Sequence, residues 1–238
     1  MSDTFLDGRV KARQPETGFR SGTDAVLLAA AIPAERGQSA LELGTGAGAA
    51  ALCLAARVPG MTLTGVEQDP ALAALARENA AASGLEAEFI AADIFALPMP
   101  LKRDYDQVFA NPPFHAEGAV PPDPARARAL MDDGTLSQWL SIGLQRTVSG
   151  GFFTAILRAD RLNEALASLP KTGVNIFPIW PRVGLSAKRV ILQARKGSRA
   201  PLGLLAGLAL HEADGRYTAA AEALLRGGAS LAMDSGRL

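Results

Sequence analysis

Ala40-Leu41-Glu42-Leu43-Gly44-Thr45-Gly46-Ala47-Gly48 constrains this chain more than any other stretch. A short apolar run ends in three alternating glycines. Small apolar residues, Ala49 to Ala56, then continue with the character of a helix. Strand, glycine turn and helix open a nucleotide-binding α/β unit. Glycine lets the backbone turn tightly and approach a ligand where a Cβ would collide. The helix behind the turn begins with unpaired N–H groups.

Two chemistries compete for this turn. Gly44-x-Gly46-x-x-Ala49 fits the dinucleotide fingerprint. Glu42, two residues before the first glycine, argues against it. A carboxylate under the turn repels a pyrophosphate and suits a ligand with a positive amino or sulfonium group. Glu42-Leu43-Gly44-Thr45-Gly46 resembles motif I of class I S-adenosylmethionine-dependent methyltransferases.

The next acids fall at matching places. Met61–Val66 reads as a strand that ends at Glu67, roughly 20 residues beyond Gly44, the spacing of a carboxylate that accepts from ribose hydroxyls. Asp69 and Pro70 then start a helix as N-cap and N1. Leu72, Leu75 and Asn79 mark one face of it, and Gly84 stops it. A third strand, Glu88–Ala92, ends at Asp93-Ile94. Asp93 is placed to take the adenine amino group of a cofactor and Ile94 its ring face; an N-cap role for Asp93 is the competing reading.

Tyr105–Ala110 is the fourth strand and runs into Asn111-Pro112-Pro113-Phe114. Two prolines fix the backbone and remove two donors. They leave an Asn side chain and a bare carbonyl at the end of a strand, beside an aromatic ring. Two acceptors suit a planar exocyclic NH2, whose lone pair must be turned out of conjugation before it attacks a methyl group. Phe114 supplies a stacking face for a flipped base.

Together these segments resemble motifs I to IV of amino-group methyltransferases. Gln14–Asp24 and Leu210–Thr218 resemble the bacterial tRNA adenine-N6 methyltransferase family, which modifies valine tRNA beside the anticodon. Phe114 stands where Tyr is frequent in that group. The resemblance implies S-adenosylmethionine as cofactor, with Arg20, Thr23, Glu42, Gly44, Thr45, Gly46, Glu67, Gln68, Asp93, Ile94 and Asn111 in its site. Asn111, Pro112 and Phe114 would be catalytic. Pro113, Phe114, His115, Arg126 and Arg128 would face the substrate, RNA and in particular tRNA. Methylation of a protein glutamine amide or of guanine N2 in rRNA fits the same acceptor pair. An NAD-dependent oxidoreductase has no use for Glu42 or the Asn-Pro-Pro end, and a plain RNA-binding module needs neither the glycine turn nor three carboxylates.

Composition narrows the partners. Formal net charge over 238 residues is zero, so an RNA surface has to be a local basic patch. Arg9, Lys11 and Arg13 read either as a solvated arm or as such a patch, together with Arg126 and Arg128. Lys188, Arg189, Arg195, Lys196 and Arg199, with Arg182 near, either guard a sheet edge or touch phosphate. One cysteine, Cys53, excludes a disulfide framework and points to the cytoplasm. His115 and His211 give no zinc spacing, so no metal is expected. The longest apolar runs are too short to span a bilayer. Ser21 or Thr23 caps a buried helix from Ala25 to Ile32. Thr135 caps another, with Trp139 in the core and the pattern continuing to Val148. A fifth strand, Phe152–Leu157, a helix over 160–169, two antiparallel strands near Val174–Trp180 and Arg189–Ala194, a strand at Gly207–His211 and a helix from Thr218 complete the chain. The βα alternation predicts an α/β fold: a doubly wound, mostly parallel, seven-stranded Rossmann-like methyltransferase sheet with an antiparallel edge strand. One domain spans 1–238, and residues 1–38 form a cofactor-capping arm and helix.

Overall fold

The computed structural model describes residues 2–15, 20–113 and 135–233. In chain order the elements are β1 (Ser2–Phe5), β2 (Val10–Arg13), α1 (Thr23–Ala31), β3 (Ser39–Leu43), α2 (Ala49–Arg57), β4 (Thr62–Glu67), α3 (Pro70–Ser83), β5 (Glu88–Ala91) and β6 (Tyr105–Ala110). They continue with α4 (Leu136–Gln145), β7 (Thr147–Arg158), α5 (Leu162–Ser168), β8 (Val174–Arg182), β9 (Arg189–Arg195), β10 (Gly203–Leu204), β11 (Leu208–His211) and α6 (Ala219–Leu225).

The main sheet runs β10-β8-β9-β7-β6-β3-β4-β5, with β11 also on β8. β5, β4, β3, β6 and β7 are parallel. β9 runs against both β7 and β8, so antiparallel pairing is confined to that edge. Strands β3 to β9 make up the seven-stranded sheet, the expected tail strand forms as β11 along β8, and β10 is a further short parallel strand on β8.

Successive side chains of a strand point to opposite faces. Phe109 packs with α1 and α2, and its neighbours Val108 and Ala110 pack with Leu136, Trp139 and Leu140 of α4. Helices thus cover both faces, which is why the strands are continuously apolar rather than alternating. α1 is apolar all round and is buried from Ala25 to Ala31, as its composition requires.

Several local readings are corrected. The residues around Arg9 are no solvated arm: β1 and β2 form an antiparallel hairpin, with Val10 and Ala12 buried. Arg9 donates to the Arg226 carbonyl at the end of α6, and Arg13 pairs with Glu78 of α3. Arg9 and Arg13 thus have partners within the fold while their side chains stay at the surface. Gly22, not Ser21 or Thr23, is the N-cap of α1, and no side chain caps it. The Ser21 N–H is already taken by the Gln14 side chain. The buried face of α3 is Ala73, Ala76, Asn79 and Ala80, with Leu72 and Leu75 only half-buried. Small side chains are needed there because the helix lies close to the glycine turn: a Cβ on Gly48 would sit 3.1 Å from Ala76 Cβ. β7 begins at Thr147, five residues early, because Thr147 pairs with Tyr105 before an irregularity at the Gly150 bend. Val148 therefore belongs to the strand. The caps at Asp69, Gly84 and Thr135 form as the sequence predicts, the last as a capping box with Gln138.

Candidate active site

Strand register assembles the site. Leu43 pairs with Val66 on one side and with Ala110 on the other, and Glu67 pairs with Ala91. Gly44, Glu67, Asn111 and Asp93 therefore leave the sheet side by side at its C-terminal edge, where open α/β sheets bind ligands.

The turn after β3 needs its glycines. Gly44, Gly46 and Gly48 have φ of +65°, +56° and +86°. A Cβ on Gly44 would lie 2.4 Å from the Trp139 ring, so α4 forms a floor directly against the turn. The Trp139 ring is met edge-on by Phe95, with centroids 6.1 Å apart. A Cβ on Gly46 would meet nothing within 4 Å. That open backbone is where a ligand can approach.

Glu42 lies under the turn and is 2% exposed. Its Oε2 accepts from the Thr45 hydroxyl at 2.5 Å and from the Ala51 N–H at 3.1 Å, tying the turn to the first turn of α2. Burial pushes its carboxyl up to about 8 despite those two bonds. A carboxyl with a raised folded pKa contributes stability fully present below its unfolded value. That contribution is lost as pH rises through the folded pKa. The melting temperature of wild type should therefore fall from about pH 5 to pH 8 relative to that of Glu42→Gln, whose amide cannot ionise. Differential scanning calorimetry of both proteins across that window checks this; parallel curves would contradict it.

Glu67 is also buried. Its Oε2 accepts from the Gly46 N–H at 2.8 Å and its Oε1 from the Asp69 N–H at 3.0 Å. Each oxygen keeps a second lone pair. Gln68, next in the chain, is exposed. Asp93 is exposed, and Oδ1 accepts from the Phe95 N–H, the capping role weighed above; its other oxygen has no such duty. Ile94 is 5% exposed and packs in the core, and Phe95 beside it is the more open side chain.

Asn111 follows β6. Its Oδ1 is buried and has no hydrogen-bond partner among the described residues. A buried acceptor left unmet costs roughly 1–3 kcal/mol and calls for an explanation. Pro112 is buried and Pro113 half-buried. Phe114, His115, Arg126 and Arg128 lie outside the described residues.

The N-terminal segment reaches the same edge. Asn79 donates to the Ala47 carbonyl and the Arg13 carbonyl, both at 2.9 Å, and accepts from the Arg13 N–H at 2.8 Å. One side-chain amide thus joins the hairpin to the glycine turn. Sequence reasoning noted Asn79 only as part of a helix face; a polar residue among buried alanines was the available signal. Arg20 pairs with Asp3 at 2.6 Å and lowers the Asp3 carboxyl, while Thr23 begins α1 half-buried.

The residues at this edge fit a nucleoside cofactor, while Glu42, read from sequence as a charge for its positive group, is buried under the turn and serves Thr45 and Ala51 instead. Open space at Gly46, free lone pairs on Glu67 and the orphan acceptor of Asn111 face one edge. The fold and this edge define a class I methyltransferase. Comparison with known proteins agrees. The family model of the methyltransferase small domain matches residues 19–133. The chain is 32% identical over 206 residues to a tRNA1(Val) (adenine(37)-N6)-methyltransferase of Aeromonas hydrophila, covering 84% of this chain and 86% of that one. It is 30% identical over 220 residues to a protein of the same description from Actinobacillus succinogenes, covering 90% and 92%. A solved structure of a predicted O-methyltransferase from Agrobacterium tumefaciens is similar, with a TM-score of 0.72, 30% identity and coverage of 87% of this chain and 98% of that one. The chain belongs to the tRNA1(Val) (adenine(37)-N6)-methyltransferase family.

Proposed function

We propose that this chain methylates the N6 amino group of an adenine in the anticodon loop of a tRNA, with S-adenosylmethionine as methyl donor. The observation that carries the reading is the buried Oδ1 of Asn111 at the ligand edge of the sheet, unmet among the described residues. When bound, the cofactor supplies an electrophilic methyl group on a sulfonium centre. The residues of the chain do the rest. Gly44, Thr45 and Gly46 present bare backbone to the donor, and Glu42 fixes Thr45. Glu67 offers its remaining lone pairs to ribose hydroxyls, and Asp93 its free oxygen to the cofactor's adenine amino group, with Ile94 beneath. Arg20, Thr23 and Gln68 close the rim.

The exocyclic nitrogen of adenine is a poor nucleophile because its lone pair is delocalised into the ring. Asn111 Oδ1 and the Pro112 carbonyl accept its two N–H groups. Holding both protons turns the lone pair towards the donor. Both acceptors are in place before reaction, so no polar group has to reorganise. The methylated nitrogen gives up one proton to water after transfer, and His115 is not assigned as a base. Phe114 is proposed as the stacking face, with Pro113 beside it. The target base has to be unpaired or flipped out, and RNA loops offer such bases at low unstacking cost.

Other features are compatible. No group of three or more His, Cys, Asp or Glu is placed to hold a metal among the described residues, and no helix among them is long and apolar enough to cross a membrane. Cys53 is buried and its thiol is pushed up to about 12, so it is inert. A tRNA substrate places the activity in the cytoplasm.

The test is direct. Unmodified tRNA is incubated with enzyme and labelled cofactor, digested to nucleosides and read by mass spectrometry. N6-methyladenosine is expected. Label found only in a protein glutamine, or only at guanine N2 of rRNA, would replace this substrate and leave the class of enzyme standing.

A further inference from the structure

The basic residues between 182 and 199 form one cluster in sequence but two in space. β9 is antiparallel to its neighbours, so its two ends lie at opposite ends of the sheet. Arg189 at its start pairs with Arg158 at the end of β7 and with Ile179 near the end of β8. Arg182, at the end of β8, pairs with His211 of β11. Lys188, Arg189 and Arg182 are therefore at the C-terminal edge, the edge that carries Gly44, Glu67 and Asn111. Arg195, at the other end of β9, pairs with Phe152. Six steps of extended chain separate Arg189 from Arg195, about 20 Å. Arg195, Lys196 and Arg199 thus lie away from the site.

Their bonding differs as well. Lys196 Nζ donates to the Gln145 and Thr147 carbonyls, and Arg195 donates to the Gly150 carbonyl with its guanidinium over the Phe152 ring. These two hold the end of α4 and the start of β7. At the catalytic edge, Arg189 is paired with Asp24, Arg158 with Asp160 and Arg216 with Asp214. Arg182 and Lys188 are exposed, and among the described residues neither side chain makes a hydrogen bond or close ion pair, though the charge of Arg182 helps lower the Asp214 carboxyl. They flank the β8–β9 turn, in which Val183 is 84% and Leu185 is 53% exposed. Glu212 and Asp214 are close by in the loop after β11, so any positive field is confined to the turn.

We propose that the β8–β9 turn, through Arg182 and Lys188, is a phosphate-binding rim that holds the tRNA body while the target base enters the site at Asn111. This rests on the tRNA reading above. Neither cation is held by a hydrogen bond of the fold, although Arg182 shares its field with Asp214, and RNA phosphates are partners of the right charge at the right edge. Each phosphate contact releases counterions, so each contact removed lowers the salt slope of binding by about 0.7–0.9.

The experiment uses the full chain and unmodified tRNA. The double variant Arg182→Gln/Lys188→Gln should lower the slope of log Kd against log salt by about 1.5 and raise the KM for tRNA on the order of tenfold at moderate salt. Its kcat, melting temperature and affinity for S-adenosylhomocysteine should match wild type, because neither side chain is bonded. Arg199→Gln, at the opposite end, should leave the slope unchanged. An unchanged slope and KM in the double variant, with wild type methylating tRNA normally, overturns the rim and leaves the proposed function intact. A slope that responds to Arg199→Gln instead places the footprint at the other end and also overturns it. If Val183→Ser/Leu185→Ser changes the mass of the protein in solution while the double variant binds tRNA normally, the turn is a protein contact and the rim is wrong. If wild type methylates no tRNA, the function reading fails and this inference goes with it.

Discussion

Asn111→Ala should lower turnover on tRNA by on the order of 100-fold or more, the scale for loss of one preorganised polar group aimed at the reacting centre. Affinity for S-adenosylhomocysteine should change far less, because the proposed site gives most of the cofactor's contacts to Gly44, Thr45, Gly46 and Glu67. The distinctive part is stability. Oδ1 is buried without a partner among the described residues. Removing an unmet acceptor relieves a desolvation penalty of roughly 1–3 kcal/mol, partly offset by the lost packing of the side chain. The variant should melt at or above the wild-type temperature while losing its chemistry. A residue kept for folding would show the reverse. Single-turnover rates with saturating cofactor, read beside thermal melts, make the test. Normal turnover, or a large drop in melting temperature without loss of turnover, would refute the acceptor role.

Gly44→Ala should be nearly as damaging, through geometry. The residue has φ +65°, a region that costs an L-residue roughly 1–2 kcal/mol. Its new Cβ would fall 2.4 Å from the Trp139 ring, which is held in turn by Phe95 and the core. Overpacking of this kind costs typically 1–3 kcal/mol. Together they predict a loss of about 2–5 kcal/mol and a fall in melting temperature of roughly 4–20 °C for a chain of this size. Cofactor affinity should fall with it, since the turn moves away from Glu67. Trp139→Leu in the same chain should recover the steric part and not the part due to φ. A Gly44→Ala protein that melts and binds cofactor like wild type would show that α4 does not press on the turn.

Much of this site was readable before any coordinates. Glycine at positions 44, 46 and 48 is legible because the αL region is nearly closed to other residues. Asp69-Pro70, Gly84 and Thr135 are legible because capping is a local bargain between a side chain and the nearest backbone. Strand ends at Glu67, Asp93 and Asn111 are legible because an acid or amide cuts short an apolar run. The hairpin at residues 2–13 was missed because its partners, Glu78, Asn79, Ser83 and Arg226, are far along the chain. Even the role of Glu42 was only half visible: its place under the turn is local, but its burial and raised pKa come from the packing of α2.

The sequence by itself determined which residues are candidates for the chemistry, because backbone conformation, charge and the missing N–H of proline belong to single positions. The tertiary structure alone decided which of them meet. Leu43 lies beside both Val66 and Ala110, and that double pairing gathers Gly44, Glu67 and Asn111 at one edge. The basic run from 182 to 199 was divided by the same means, because the direction of β9 puts its two ends at opposite ends of the sheet. Strand order and direction are set by how a whole chain buries its apolar faces, and no short stretch of sequence contains that sum.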